Sequence, residues 1–231
     1  MYKFNKTKHI HTFNDKPLHG VTTVLEVIAK PALIQWSADM ACDYINSRVT
    51  ELFNNPGLYK EIIEEARFAH RKKKEKAGDW GTIVHEAIER HLKGGPVGDL
   101  DQEQQNALDL FIEWERDNKV KVLESEKHLY SEKLWIGGIV DMTLEMDGKR
   151  YVADIKTSKN VYPEMFAQMG AYDLMLQDMG EEPYDGYLII HLPQKGGIEI
   201  ILSEHMETNR KYFLAALELY KIKQKVDDSI N

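Results

Sequence analysis

The spacing of apolar residues changes along this chain, from a helical period in the first half to a strand-like alternation in the second. Thr23-Val-Leu-Glu26 has the form of a capping box ahead of an apolar-periodic run, which predicts a helix start near Thr22. Pro31 ends that helix or opens the next one. Residues 32–53 read as a long amphipathic helix, with Trp36, Met40, Tyr44 and Ile45 on one side. Asn54-Asn-Pro-Gly57 is a loop by its turn residues. From Leu58 to Leu92 the spacing is again helical, interrupted at Gly78-Asp79, and Gly94-Gly-Pro-Val-Gly98 is a clear break. Gln102 to Lys119 is a further helix, marked by Leu108, Phe111, Ile112 and Trp114.

Beyond Lys119 the period falls to two. Lys127–Tyr130 and Leu134–Glu145 read as strands, and Asp147-Gly148 is a hairpin signal leading into a partner strand over Arg150–Ile155. Pro163–Met179 follows as an amphipathic helix with Gly180 placed to cap it. Tyr184–Leu192 and Ile198–Leu202 are two more strands, and Glu207–Val226 is a closing helix. The predicted order is helices and then β-β-β-α-β-β-α. That is an α/β core with a mixed central β-sheet flanked by helices, preceded by a helical N-terminal region. The domain boundary is expected between a helical region over 1–78 and a core over 79–231.

Composition narrows the function classes. Hydrophobic residues make up 42% of the 231 positions, enough for a sizeable core. The single cysteine, Cys42, excludes an intramolecular disulfide and a four-cysteine zinc or iron–sulfur site. Met1–Lys8 is polar and basic with no apolar stretch behind it, and no apolar run approaches the ~20 residues of a membrane helix. The expectation is a cytoplasmic protein with no membrane partner. The net charge of −8 weighs against a general nucleic-acid binder, although a local basic groove can coexist with an acidic surface.

The candidate chemistry centres on Asp154-Ile155-Lys156. Residues two apart on a strand share a face, so Asp154 and Lys156 project together and Ile155 points the other way. The Asp147-Gly148 hairpin brings the strand carrying Asp141 alongside. Two carboxylates so placed repel, and a divalent cation compensates them; an oxygen-rich site suits Mg2+ or Mn2+. The lysine can position or activate water, or neutralise charge developing on a phosphate. On its own, an Asp-x-Lys triplet is more often a surface ion pair. Here the apolar neighbours Val152, Ala153 and Ile155 bury the strand, and Gly137-Gly138 ahead of Asp141 allow a close approach of backbone to a ligand. In Trp80-Gly-Thr-Ile-Val-His85-Glu-Ala-Ile-Glu89, His85 can offer a nitrogen to a metal, and Glu89 one turn on either orients it or faces solvent. Gln168 and Tyr172 share a helix face and can hold a phosphate or stack on a base, or merely line a half-buried face.

In order, Gly81-x3-His85, Gly138-x2-Asp141, Asp154-x-Lys156 and Gln168-x3-Tyr172 resemble the motifs of the PD-(D/E)XK nuclease superfamily, in its RecB-like branch. The stretch Gly20-Val-Thr-Thr-Val-Leu25 followed by Trp36 is more loosely similar to the start of the mitochondrial genome maintenance exonuclease and its phage-encoded relatives. The resemblance implies a restriction-endonuclease-like core. It implies His85, Asp141, Asp154 and the backbone carbonyl of Ile155 as metal ligands, Lys156 as the catalytic lysine, and Gln168 and Tyr172 on the substrate side. Relatives often carry an acidic residue where Glu126 stands; a salt-bridge role for it is at least as good a reading. Val140 replaces the proline of the superfamily name, and with one cysteine no iron–sulfur cluster is expected.

The function implied is a Mg2+- or Mn2+-dependent DNA exonuclease on single strands or DNA ends, in replication, recombination or repair. The chain has no Gly-x4-Gly-Lys-Ser/Thr loop, so a helicase or recombination partner would be a separate protein. The basic run Arg67, His70, Arg71, Lys72, Lys73, Lys74 and Lys76 reads either as a phosphate-contacting wall or as a solvated helix face. Two alternatives stand beside the exonuclease: a structure-specific or restriction-type endonuclease, and a catalytically silent nucleic-acid-binding module.

Overall fold

The computed structural model describes residues 1–230. It opens with four short strands, β1 (Tyr2–Asn5), β2 (Ile10–Phe13), β3 (Lys16–Pro17) and β4 (His19–Gly20). The helices α1 (Val21–Leu25), α2 (Pro31–Ser47), α3 (Val49–Asn54), α4 (Tyr59–Arg67), α5 (Ala69–Leu92) and α6 (Gln102–Asp117) follow. Strands β5 (Lys121–Ser131), β6 (Ile136–Met146) and β7 (Lys149–Lys156) then lead to α7 (Pro163–Asp178), β8 (Gly186–His191), β9 (Glu199–Ser203) and α8 (Met206–Ile230). The fold is mixed α/β, and its second half has the β-β-β-α-β-β-α order that the period change predicts. Two compact units are present: Met1–Ile28 with Ile83–Asn231, and the all-helical Ala29–Thr82.

In the larger unit, β5 runs along one edge of β6, while β4 and β7 share the other edge at different heights, and β8 and β9 continue the sheet beyond β7. The β4–β6 and β7–β8 pairs are parallel and the rest antiparallel, so the sheet is mixed. The parallel β7–β8 pair needs a crossover, and α7 supplies it. Val21 and Val24 of α1, Val140, Val152 and Ile189 of the sheet, Met169 and Met175 of α7 and Phe213 of α8 belong to one buried core. β1, β2 and β3 form a separate antiparallel sheet whose Tyr2 ring stacks on Tyr130 of β5 at 4.9 Å.

The local signals explain most of these boundaries. At the β6–β7 turn both Asp147 (φ 51) and Gly148 (φ 72) occupy the left-handed region that a type I′ hairpin requires. Asp101 caps α6 by accepting from the Gln104 backbone at 2.8 Å while the Gln104 side chain accepts from the Asp101 backbone. Three readings need correction. The Thr23–Glu26 capping box does not form: α1 starts at Val21 behind Gly20, which has no side-chain cap and is extended because β4 pairs it with Gly137. Gly78 does not interrupt α5, because an exposed glycine costs a helix about 1 kcal/mol without breaking it. The long helix over 32–53 divides at Arg48 (φ −107, ψ 5), whose guanidinium binds Glu51, Tyr44 and Glu65.

Candidate functional site

The β6–β7 ladder ends at Met142 opposite Ala153. One residue further on, the carboxylate of Asp141 takes over: its Oδ2 accepts the Ile155 backbone N–H at 2.8 Å. A side chain has thus replaced a ladder partner where β7 parts from β6, and that opening is where the candidate residues meet. Asp154 and Lys156 leave β7 on one face, as the two-residue spacing dictates. Asp154 is 1% exposed, and its Oδ2 forms a close ion pair with Lys156 Nζ. The Ile155 side chain is buried on the other face.

The lysine also reaches α7. Lys156 Nζ donates to Gln168 Oε1 at 3.2 Å, and Gln168 Nε2 donates to the Tyr172 hydroxyl at 2.6 Å. A continuous polar chain therefore runs from Asp154 through Lys156 and Gln168 to Tyr172. From α5, His85 Nδ1 stands 3.4 Å from Asp141 Oδ2. Its partner is this carboxylate, whereas Glu89 pairs with Lys93.

Gly137 and Gly138 serve packing, which corrects the ligand-approach reading. A Cβ on Gly138 would lie 2.9 Å from the Tyr172 ring, and one on Gly137 would lie 2.7 Å from His11. These glycines admit the protein's own side chains and let α7 settle on β6. The helix is held from behind as well. Fully buried Asp173 accepts from the Tyr187 hydroxyl and from Arg210 Nη1, each at 2.7 Å, and so ties α7 to β8 and α8. The sequence pattern did not single out this anchor, because its members come from three elements.

The electrostatics of the opening are those of crowded negative charge. Burial pushes the Asp154 carboxyl up to about 6, against the pull of Lys156 and with a further push from Asp141. Burial also opposes the charge on Lys156, yet Asp154 and Asp141 hold its pKa above the ordinary lysine value. The Tyr172 hydroxyl is driven well above its usual range, by burial first and then by both aspartates. Glu126 joins the same field. Its neighbours Ser125 and Lys127 pair with Met142 and Val140, which sets Glu126 across the ladder from Asp141. Its φ of 52 is a left-handed conformation in mid-strand, a strained position of the kind found beside functional sites. Burial, then Asp141 and Glu89, raise its carboxyl to about 7, with Lys93 offsetting a part. Only the acidity of Glu126 was visible in the sequence.

Among the described residues, no group of three His, Cys, Asp or Glu side chains is arranged to hold a metal ion. The donors are nevertheless of the right kind. Asp154 brings a buried oxygen paired with the Lys156 ammonium, and the Asp154 and Glu126 carboxyls are pushed toward protonation by burial first and then by neighbouring carboxylates. Those residues fit a hard divalent cation by charge and donor type.

Arg67, Arg71, Lys72 and Lys73 belong to the all-helical unit. All four are exposed; Arg67 pairs with Glu64, and the Arg71 guanidinium lies 4.9 Å from the centre of the Phe68 ring. No helix among the described residues is long and apolar enough to cross a membrane.

No family model matches this chain, and no curated protein matches it. Two solved structures share part of its course. One is SSO0001, at 12% identity over 60% of this chain and 84% of that chain, with a TM-score of 0.31. The other is LHK-Exo in complex with dAMP, at 16% identity over 65% of this chain and 86% of that chain, with a TM-score of 0.29.

Proposed function

We propose that this chain is a nuclease of the PD-(D/E)XK type that hydrolyses phosphodiester bonds in DNA with a bound Mg2+ or Mn2+ ion. The observation that supports it is the meeting of His85, Asp141, Asp154 and Lys156 with Gln168 and Tyr172 at one opening of the sheet. His85, Asp141, Asp154 and the Ile155 carbonyl are the residues that would hold the ion. When bound, it supplies Lewis-acid polarisation of a phosphate oxygen and acidifies water.

The protein's own groups divide the remaining work. Lys156 keeps its proton, because the neighbouring carboxylates stabilise the ammonium; it therefore orients the attacking water and offsets charge building on the phosphate. Gln168 fixes the lysine through its Oε1 and is itself oriented by the Tyr172 hydroxyl. Buried Asp154 counterbalances the charge of the lysine. The finer assignment is an exonuclease on single strands or DNA ends, working in repair or recombination beside a separate helicase or recombination protein. That assignment rests on the order of the four motifs and not on the geometry.

Digestion of end-labelled single- and double-stranded DNA with Mg2+ or Mn2+ tests both levels. The expected result is metal-dependent shortening of linear DNA, with circular single strands left intact. Lys156→Ala should lower the rate at least about 10²-fold, the usual cost of removing a charge-stabilising group. Cleavage of closed circles would make it an endonuclease. Lys156→Ala digesting DNA as fast as the unaltered protein would remove the site assignment, and DNA binding without metal binding or cleavage would leave a silent module.

A further inference from the structure

Helix α8 carries two apolar stripes. Phe213, Ala216 and Leu217 form the first and are buried in the core. Tyr212, Leu219, Ile222, Val226 and Ile230 form the second, at 36%, 52%, 49%, 49% and 77% exposure. At about 100° per residue the second stripe lies on the side of the helix away from the first. Tyr212, Leu219 and Val226 recur at seven-residue spacing, with exposed Ala215 and Ile222 between them. That spacing is the seam of a coiled coil, which buries itself against an identical seam. Glu218 and Lys223 flank it on opposite sides and are both exposed.

We propose that this stripe pairs with the same stripe of a second copy of the chain, as a parallel two-helix seam. Charge favours a second copy over an unrelated partner. In a parallel register the five-residue offset from Glu218 to Lys223 sets each glutamate against the lysine of the other copy, so one symmetric contact forms two ion pairs. From Tyr212 to Val226 the seam is roughly 21 Å long at 1.5 Å per residue. A seam that short gives a reversible dimer rather than a permanent one.

Sedimentation velocity of the full chain, from about 1 to about 200 µM, reads the association directly. The unaltered protein should pass from monomer toward dimer within that range. Ile222→Asp, on an exposed position that leaves the core untouched, should raise the dissociation constant at least about tenfold. Glu218→Lys should weaken the dimer, and Glu218→Lys combined with Lys223→Glu should restore it. A protein that stays monomeric throughout, or an Ile222→Asp variant that associates as well as its parent, overturns the proposal. A double variant no tighter than Glu218→Lys alone overturns the parallel pairing.

Discussion

At the scale of single residues, the opening between β6 and β7 is held against its own charge. Two of its carboxyls keep protons in the folded chain to higher pH than they would when unfolded: Asp154 to about 6 against an ordinary 3.8, and Glu126 to about 7 against 4.5. The sign of the linkage follows. Between the unfolded and folded values the native state binds more protons, so stability falls as pH rises through that window. Lys156 is raised as well, but it titrates far above this range and contributes a constant there. In the metal-free protein these two carboxyls should therefore pull the melting temperature down progressively from about pH 4.5 to about pH 7, against the opposite contribution of His11, whose imidazole burial holds down to about 4. Glu126→Gln removes one of the two titrations and should flatten the profile, most visibly near neutrality. Melting curves in a pH series without divalent ions measure this; identical profiles for the two proteins would mean that Glu126 carries no shifted proton.

At the scale of elements, the chain's own pattern specifies what is long or locally determined. The hairpin at Asp147-Gly148, the crossover helix α7 and the projection of Asp154 with Lys156 need only neighbours in sequence, and each is legible there. β1 to β4 are not, because strands of two to four residues offer too few positions to show a period of two. Glu126 is half legible: its charge is written in the sequence, but its left-handed backbone and its place across from Asp141 arise only when β5 pairs with β6. The fit of α7 on α8 is likewise a tertiary fact. A Cβ at Gly170 would lie 2.8 Å from the backbone carbonyl of Asn209 and 2.9 Å from the Arg210 nitrogen. Backbone cannot rotate away, so Gly170→Ala must push the helices apart. Overpacking of this kind costs about 1–3 kcal/mol, which outweighs the ~1 kcal/mol that alanine gains over glycine in a helix. Urea titration should show a lower midpoint for Gly170→Ala, and DNA cleavage should fall with it because Gln168 and Tyr172 lie on either side of Gly170. An unchanged midpoint would mean that the α7–α8 contact is looser than its geometry.

At the scale of the whole molecule, a net charge of −8 must be reconciled with the polyanionic substrate proposed for it. Under that proposal the acidic groups at the opening would repel phosphate without a bound cation, so attraction at a distance would have to come from elsewhere. Arg67, Arg71, Lys72 and Lys73 are exposed and close together in sequence, within a stretch that continues to Lys74 and Lys76. Neither of the two arginines is locked in a buried ion pair. If these four cations contact the DNA backbone, each releases condensed counterions on binding, and affinity for a single strand should fall with salt by about 0.7 of a logarithmic unit per contact for each tenfold rise. Replacing all four by alanine should then reduce the slope of log affinity against log salt by up to about 3, while leaving the maximal rate at saturating DNA unchanged. Fluorescence anisotropy of a labelled single strand at several salt concentrations, with Ca2+ in place of the catalytic ion, separates binding from cleavage. An unaltered slope would reduce the basic run to a solvated helix face. A lowered maximal rate at saturating DNA would instead place these residues in the chemistry. The predicted split, a weaker and less salt-sensitive complex that turns over normally, is what an acidic nuclease needs if it gathers DNA with one part of its surface and cuts with another.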